Sequence, residues 1–89
     1  MKKILLGVTG GIAAYKAANF TSLLKKKGYE VKVIMTENAT KIITPLTLET
    51  LSKNVVYVDM WHEKSHYEVE HISLAHWAEV VVVLPATYN

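Results

Sequence analysis

Apolar positions follow two different periods along the chain, and the two alternate. The run KILLGV (3–8) is apolar and short and ends at TGGI, which predicts a buried parallel strand leading into a tight turn. In IAAYKAANFTSLLKKKG (12–28) the residues Ala13, Ala17, Phe20 and Leu24 recur at helical spacing, then come three lysines and Gly28. That predicts a helix with a dipole-matched end and a glycine cap. The β-branched, half-alternating EVKVIMT (30–36) predicts a second strand. In TPLTLETLS (44–52), Thr44 suits an N-cap and Pro45 the first helical position. NVVYVDM (54–60) predicts a third strand, HISLAHWA (71–78) a short helix, and EVVVVLPATYN (79–89) a strongly apolar strand running into a polar loop.

Strands alternating with helices imply crossover connections and a parallel sheet covered on both faces. The expected class is α/β: a three-layer, Rossmann-like, doubly wound parallel sheet in one domain, with no internal repeat, low-complexity tract or linker. A strand as apolar as Val80 to Leu84 belongs in the middle of such a sheet, yet only five residues follow it. A chain of this size also buries only about 60% of its unfolded surface. Residues 1–89 therefore read as the N-terminal portion of a single, larger domain, or as a chain that depends on partner subunits.

Composition narrows the class. With 89 residues, 51% hydrophobic and 20% charged, the chain has a globular balance. Its formal charge is +2, and its densest basic cluster, Lys25 to Lys27, falls at a helix end where it serves the dipole and solvation. Nucleic-acid binding is accordingly not expected. Cysteine is absent, which removes disulfides, thiolate zinc sites and thiol nucleophiles and fits a reducing cytoplasm. The opening MKKILLGV resembles a signal peptide, but its apolar run breaks at TGG, so neither export nor a membrane span is expected.

Ligands of parallel sheets bind outside the carboxyl ends of the strands. Three small, donor-rich loops stand there: TGGI (9–12), TENA (36–39) and PATYN (85–89). Together they suit a phosphate, held by backbone N–H groups at the start of the first helix. Gly7, Gly10 and Gly11 do not spell G-x-G-x-x-G, and Glu37 comes one residue late for the ribose-binding acid of a dinucleotide site. A mononucleotide with a terminal phosphate is favoured. The plainer alternative is that Gly10 and Gly11 merely make a strand-to-helix turn.

HEKSH (62–66) fits the zinc pattern H-E-x-x-H. Its surroundings, DMWHEKSHYEVEH, carry no clean apolar stripe for a packed helix, so the segment reads as a polar loop and no metal is expected. His76, beside Trp77, reads as structural.

The segments GVTGGIAAYKA, VKVIMTENAT, ITPLTLETLS and VEHISLAHWAEVVVVLPATYN resemble, in order and across essentially the whole chain, the N-terminal half of the phosphopantothenoylcysteine decarboxylase domain of coenzyme A biosynthesis flavoproteins. The wider family is the homo-oligomeric flavin-containing cysteine decarboxylases. The resemblance implies FMN as cofactor, with contacts at Gly10, Gly11, Ile12, Thr36, Asn38, Pro85, Ala86, Thr87 and Asn89. It also implies His71, in the EHI segment, as the catalytic base. At the N-terminus of a short helix the dipole would keep that imidazole neutral and able to accept a proton, although adjacent Glu70 pulls the other way.

The implied reaction is decarboxylation of the small-molecule substrate 4′-phosphopantothenoylcysteine to 4′-phosphopantetheine, in which oxidation by the flavin creates the electron sink that loss of CO2 needs. Trimers or higher homo-oligomers in the cytoplasm are implied as well. The family's asparagine-bearing catalytic segment and its cysteine-bearing flap have no counterpart in these residues, so they should not form a complete catalyst. PATYN stands where PATAN is commoner. A flavin prenyltransferase or a non-catalytic FMN-binding regulatory subunit of the same fold remains an alternative, and a metallopeptidase a more distant one.

Overall fold

The computed structural model describes residues 2–59 and 73–84. Strands β1 (Lys3–Val8), β2 (Glu30–Thr36), β3 (Val56–Asp59) and β4 (Val80–Leu84) form one sheet in the order β3-β2-β1-β4, and every pairing is parallel. Helices α1 (Lys16–Lys26), α2 (Pro45–Ser52) and α3 (73–77) connect them, with 3-10 turns at Ile12–Tyr15 and Ala39–Lys41. The expected α/β class with parallel strands is observed. Among the described residues no helix is long and apolar enough to cross a membrane.

Alternation along the strands divides the sheet into two faces. In register, Ile4, Leu6 and Val8 stand beside Val31, Val33 and Met35 on one side and Val80, Val82 and Leu84 on the other. That face meets Ala17 and Leu24 of α1 and Leu48 of α2 in the main core. Leu6, Val8, Val31, Val33 and Met35 are fully buried, each stabilising the fold by roughly 1.5–3 kcal/mol. The other face carries Leu5, Lys32 and Ile34 and is partly covered by α3, which buries Leu74 and sets the Trp77 ring 4.6 Å from the Lys32 ammonium.

The helix ends follow the residues expected of them. The N–H groups of Gly28 and Tyr29 reach back to the carbonyls of Lys25 and Leu24, at 3.0 and 3.1 Å, and Gly28 takes φ +89°. This is a Schellman ending, and its left-handed residue is the glycine. Thr44 is extended and its hydroxyl accepts the Thr47 N–H at 3.3 Å, with Pro45 beginning α2.

Two expectations are corrected. The helix expected from residue 12 starts as a 3-10 turn and becomes α-helical only at Lys16. No side chain caps its start, and the Ala14 N–H closes instead on the Gly11 carbonyl three residues back, at 2.8 Å. The third strand begins at Val56 rather than at residue 54, because the Asn54 amide reaches sideways to the Val31 carbonyl (2.7 Å) and the Glu30 carboxylate (3.3 Å). Among the described residues β4 pairs with β1 alone. Its apolar sequence promises contacts on both faces, but Val81 and Val83 remain more than half exposed.

Candidate functional site

The order β3-β2-β1-β4 has a topological switch beside β1: the chain steps outward from β1 to β2 to β3, then returns to the opposite side of β1. Crevices at the carboxyl ends of strands next to such a point are where open α/β sheets bind ligands. The first loop is pinned there. The Thr9 N–H donates to the Leu84 carbonyl at 2.6 Å, and the Thr9 hydroxyl donates to the same oxygen at 3.3 Å, so the ends of β1 and β4 are locked together. The Gly11 N–H folds back on the Thr9 carbonyl at 3.1 Å. The N–H groups of Gly10 and Ile12 make no hydrogen bond to a described residue and remain as donors at the head of the 3-10 turn.

The second loop closes against the first. Thr9, Gly10, Thr36, Glu37 and Asn38 line a cleft of about 390 Å3. Of the five residues expected in the first two loops, Gly10, Thr36 and Asn38 therefore come together. Gly11 and Ile12 adjoin Gly10 in the chain. Pro85, Ala86, Thr87, Asn89 and His71 lie outside the described residues, as do His62, Glu63 and His66 of the HEKSH segment. His76 is exposed.

Hydrogen-bond direction distinguishes the two cleft threonines. The Thr36 hydroxyl oxygen accepts the N–H of buried Ala39 at 3.2 Å, which leaves its proton free to be donated into the cleft. The Thr9 proton is already committed to Leu84, so Thr9 offers only lone pairs. Asn38 precedes the turn Ala39–Lys41 but makes no side-chain capping bond, so its carboxamide is available to a ligand. Among the described residues the lining holds one carboxylate, Glu37, and no cation. A phosphate here would be held by neutral donors, as in backbone nests, while Glu37 suits hydroxyl groups. The donor set thus fits a phosphate-bearing polyol nucleotide.

Thr9 and Glu37 were not among the residues the sequence singled out as contacts. Position at a strand end is the only sequence signal for Thr9, and Glu37 stands out only as an acid one residue late. A larger groove of about 490 Å3 runs along α1 past Tyr15, Phe20 and Leu23 to Leu84, with Lys16 and Asn19 as its polar groups. It follows a helix flank, whereas the smaller cleft sits at the carboxyl ends of β1 and β2, where open α/β sheets bind ligands, and is the better ligand site.

A parallel sheet with its switch beside β1 and a donor-lined cleft at the strand ends defines a doubly wound α/β protein with its ligand site at the carboxyl edge of the sheet. The chain belongs to the Flavoprotein family, which matches residues 1–89. The cofactor class this carries is a flavin.

Over 88 residues the chain is 59% identical to the coenzyme A biosynthesis bifunctional protein CoaBC of Borreliella burgdorferi, an alignment covering 99% of this chain and 22% of that protein. It is 49% identical over 88 residues to a probable phosphopantothenoylcysteine decarboxylase of Streptococcus mutans, covering 99% of this chain and 49% of that one. Among solved structures, the FMN-dependent cysteine decarboxylase SpaF superposes with a TM-score of 0.77 at 26% identity, over 97% of this chain and 50% of SpaF. The chain thus spans half or less of the length of these relatives. Their names agree with the resemblance drawn from the four segments.

Proposed function

We propose that the chain is the N-terminal, cofactor-holding portion of a flavoprotein domain that decarboxylates 4′-phosphopantothenoylcysteine to 4′-phosphopantetheine in coenzyme A biosynthesis, with FMN as the flavin. The observation that carries this reading is the 59% identity to CoaBC across 99% of the chain, in a chain whose β1 and β2 loops meet at a cleft lined by neutral donors. FMN, when bound, supplies the redox chemistry that makes the carboxylate a leaving group.

The chain's own residues bind and orient. Thr36 donates its free hydroxyl proton, and the Gly10 and Ile12 N–H groups add neutral donors without the bulk of a side chain at residue 10. Gly11 shapes the turn between them, and the Asn38 carboxamide completes the second loop. Pro85, Ala86, Thr87 and Asn89 supply the third loop. His71, two residues before α3, accepts a proton from the substrate during its oxidation. Action in the cytoplasm, as a homo-oligomer of trimeric or higher order, belongs to the same proposal.

The test joins this chain to the second half of the Streptococcus mutans relative to make a full-length domain. Visible absorption, release of the chromophore and turnover of 4′-phosphopantothenoylcysteine are then measured with and without His71→Asn. Bound FMN and CO2 release that His71→Asn abolishes are the expected outcome. Flavin binding with no decarboxylation by the unsubstituted protein would favour a regulatory subunit, and substrate oxidation that survives His71→Asn would favour a prenyltransferase. A protein that takes up no FMN overturns the proposal.

A further inference from the structure

Gly10 is a glycine for want of space, not for conformational freedom. Among the described glycines only Gly28 has a positive φ, so the backbone at residue 10 would accept an ordinary L residue. A Cβ placed on Gly10, however, would lie 2.5 Å from Asn38 Cβ, 3.1 Å from the Asn38 carbonyl carbon and 3.3 Å from the Ala39 nitrogen. Two of those three atoms are backbone and cannot swing aside as the end of a side chain would. Gly7, in β1 of the same chain, shows the contrast, since a Cβ there would meet nothing nearer than 3.8 Å.

The second loop cannot simply retreat. Ala39 is completely buried in the main core, and its N–H is held by Thr36. The Asn38 carbonyl accepts the Lys41 N–H at 3.1 Å, and the Ala39 carbonyl accepts the N–H groups of Ile42 and Ile43, each at 3.0 Å. On the other side, Thr9 is tied to Leu84 by both its N–H and its hydroxyl. Two anchored loops meet at Gly10 and Asn38, where a side chain is missing.

We propose that Gly10 and Asn38 form a steric latch that sets the width of the cleft, so that residue 10 governs ligand affinity through the position of Asn38. Gly10 then acts as a positioning residue as well as a donor. A methyl group at residue 10 displaces Asn38 and the Thr36 to Ala39 turn together, spoiling the alignment of the Thr36 hydroxyl and the Asn38 carboxamide. The affinity part of this inference rests on the FMN reading above; the steric part does not.

The test is a double-mutant cycle in the full-length domain described above, read by FMN titration and by the backbone amide resonances of residues 36–41. Gly10→Ala is expected to weaken FMN by about tenfold or more, the worth of one charge-assisted hydrogen bond, and to shift those amides. Asn38→Gly removes the 2.5 Å contact. In the unsubstituted background it weakens FMN through the lost carboxamide. In the Gly10→Ala background it strengthens FMN by about threefold or more, within the range of couplings between touching residues. This reversal of sign distinguishes a latch from general loosening, and Gly7→Ala should leave both readouts unchanged.

Gly10→Ala binding FMN within about twofold of the parent, with the amides unmoved, overturns the latch, and so does an Asn38→Gly effect of the same sign in both backgrounds. If the parent takes up no FMN, the FMN reading fails, and the latch is decided by the amides alone: Gly10→Ala must shift them and Asn38→Gly must return them. If Gly10→Ala does not fold, the double variant is expected to fold, and its failure to do so overturns the proposal.

Discussion

Replacing Thr36 by valine removes one oxygen that has two jobs and leaves the shape nearly unchanged. Its lone pair holds the N–H of Ala39, a residue with no solvent exposure, at 3.2 Å. In Thr36→Val that buried donor loses its acceptor, which costs about 1–3 kcal/mol. In the full-length domain, about twice as long as this chain, each kcal/mol lowers the unfolding midpoint by about 2–4 °C, so a fall of roughly 2–12 °C is expected. Thermal unfolding followed by circular dichroism measures it, with Thr36→Ser as the control that keeps the hydroxyl. The proton of the same oxygen is the donor assigned to phosphate. Its loss should weaken FMN by about 10- to 150-fold, the equivalent of about 1.5–3 kcal/mol for a hydrogen bond to a charged group. The reasoning fails if Thr36→Val melts with the parent, or if Thr36→Ser falls as far as Thr36→Val.

Two further substitutions probe the scaffold. Gly28→Ala places a Cβ at φ +89° with no atom within 4 Å, so its cost is purely conformational, about 1–2 kcal/mol; a denaturant midpoint unchanged from the parent would show that the Schellman ending adapts without strain. Thr21 is fully buried in α1 and its hydroxyl has no partner among the described residues. Thr21→Val should therefore raise stability by about 1 kcal/mol in the same assay, and a lower midpoint would show that the hydroxyl is satisfied.

Local signals carried much of the fold. β1 and β2 fall on the segments that apolar patterning marks, and α2 begins where Thr44 and Pro45 say it should, because capping and strand alternation depend on residues adjacent in the chain. Lysines followed by a glycine likewise end α1, since a left-handed residue is cheapest at Gly28. The loops at the strand ends were legible as small and donor-rich, which was enough to place a ligand at the carboxyl edge of the sheet.

What depended on distant contacts was not legible. Apolarity marked β4 as a strand but not its neighbours, and only the pairing of Ile4 with Val80 through Val8 with Leu84 puts it beside β1. Asn54 left the third strand for a side-chain bond to Val31, across 23 residues of sequence. In the cleft, Gly10 looked like a turn glycine until the second loop was found against it, and the two threonines looked alike until Leu84 and Ala39 fixed which proton was free. Residue types alone determined which groups this chain could offer a ligand. Only the tertiary structure decided which of them are unpaired and face one another, because direction and spacing at the cleft are set by contacts between strands and loops far apart in the chain.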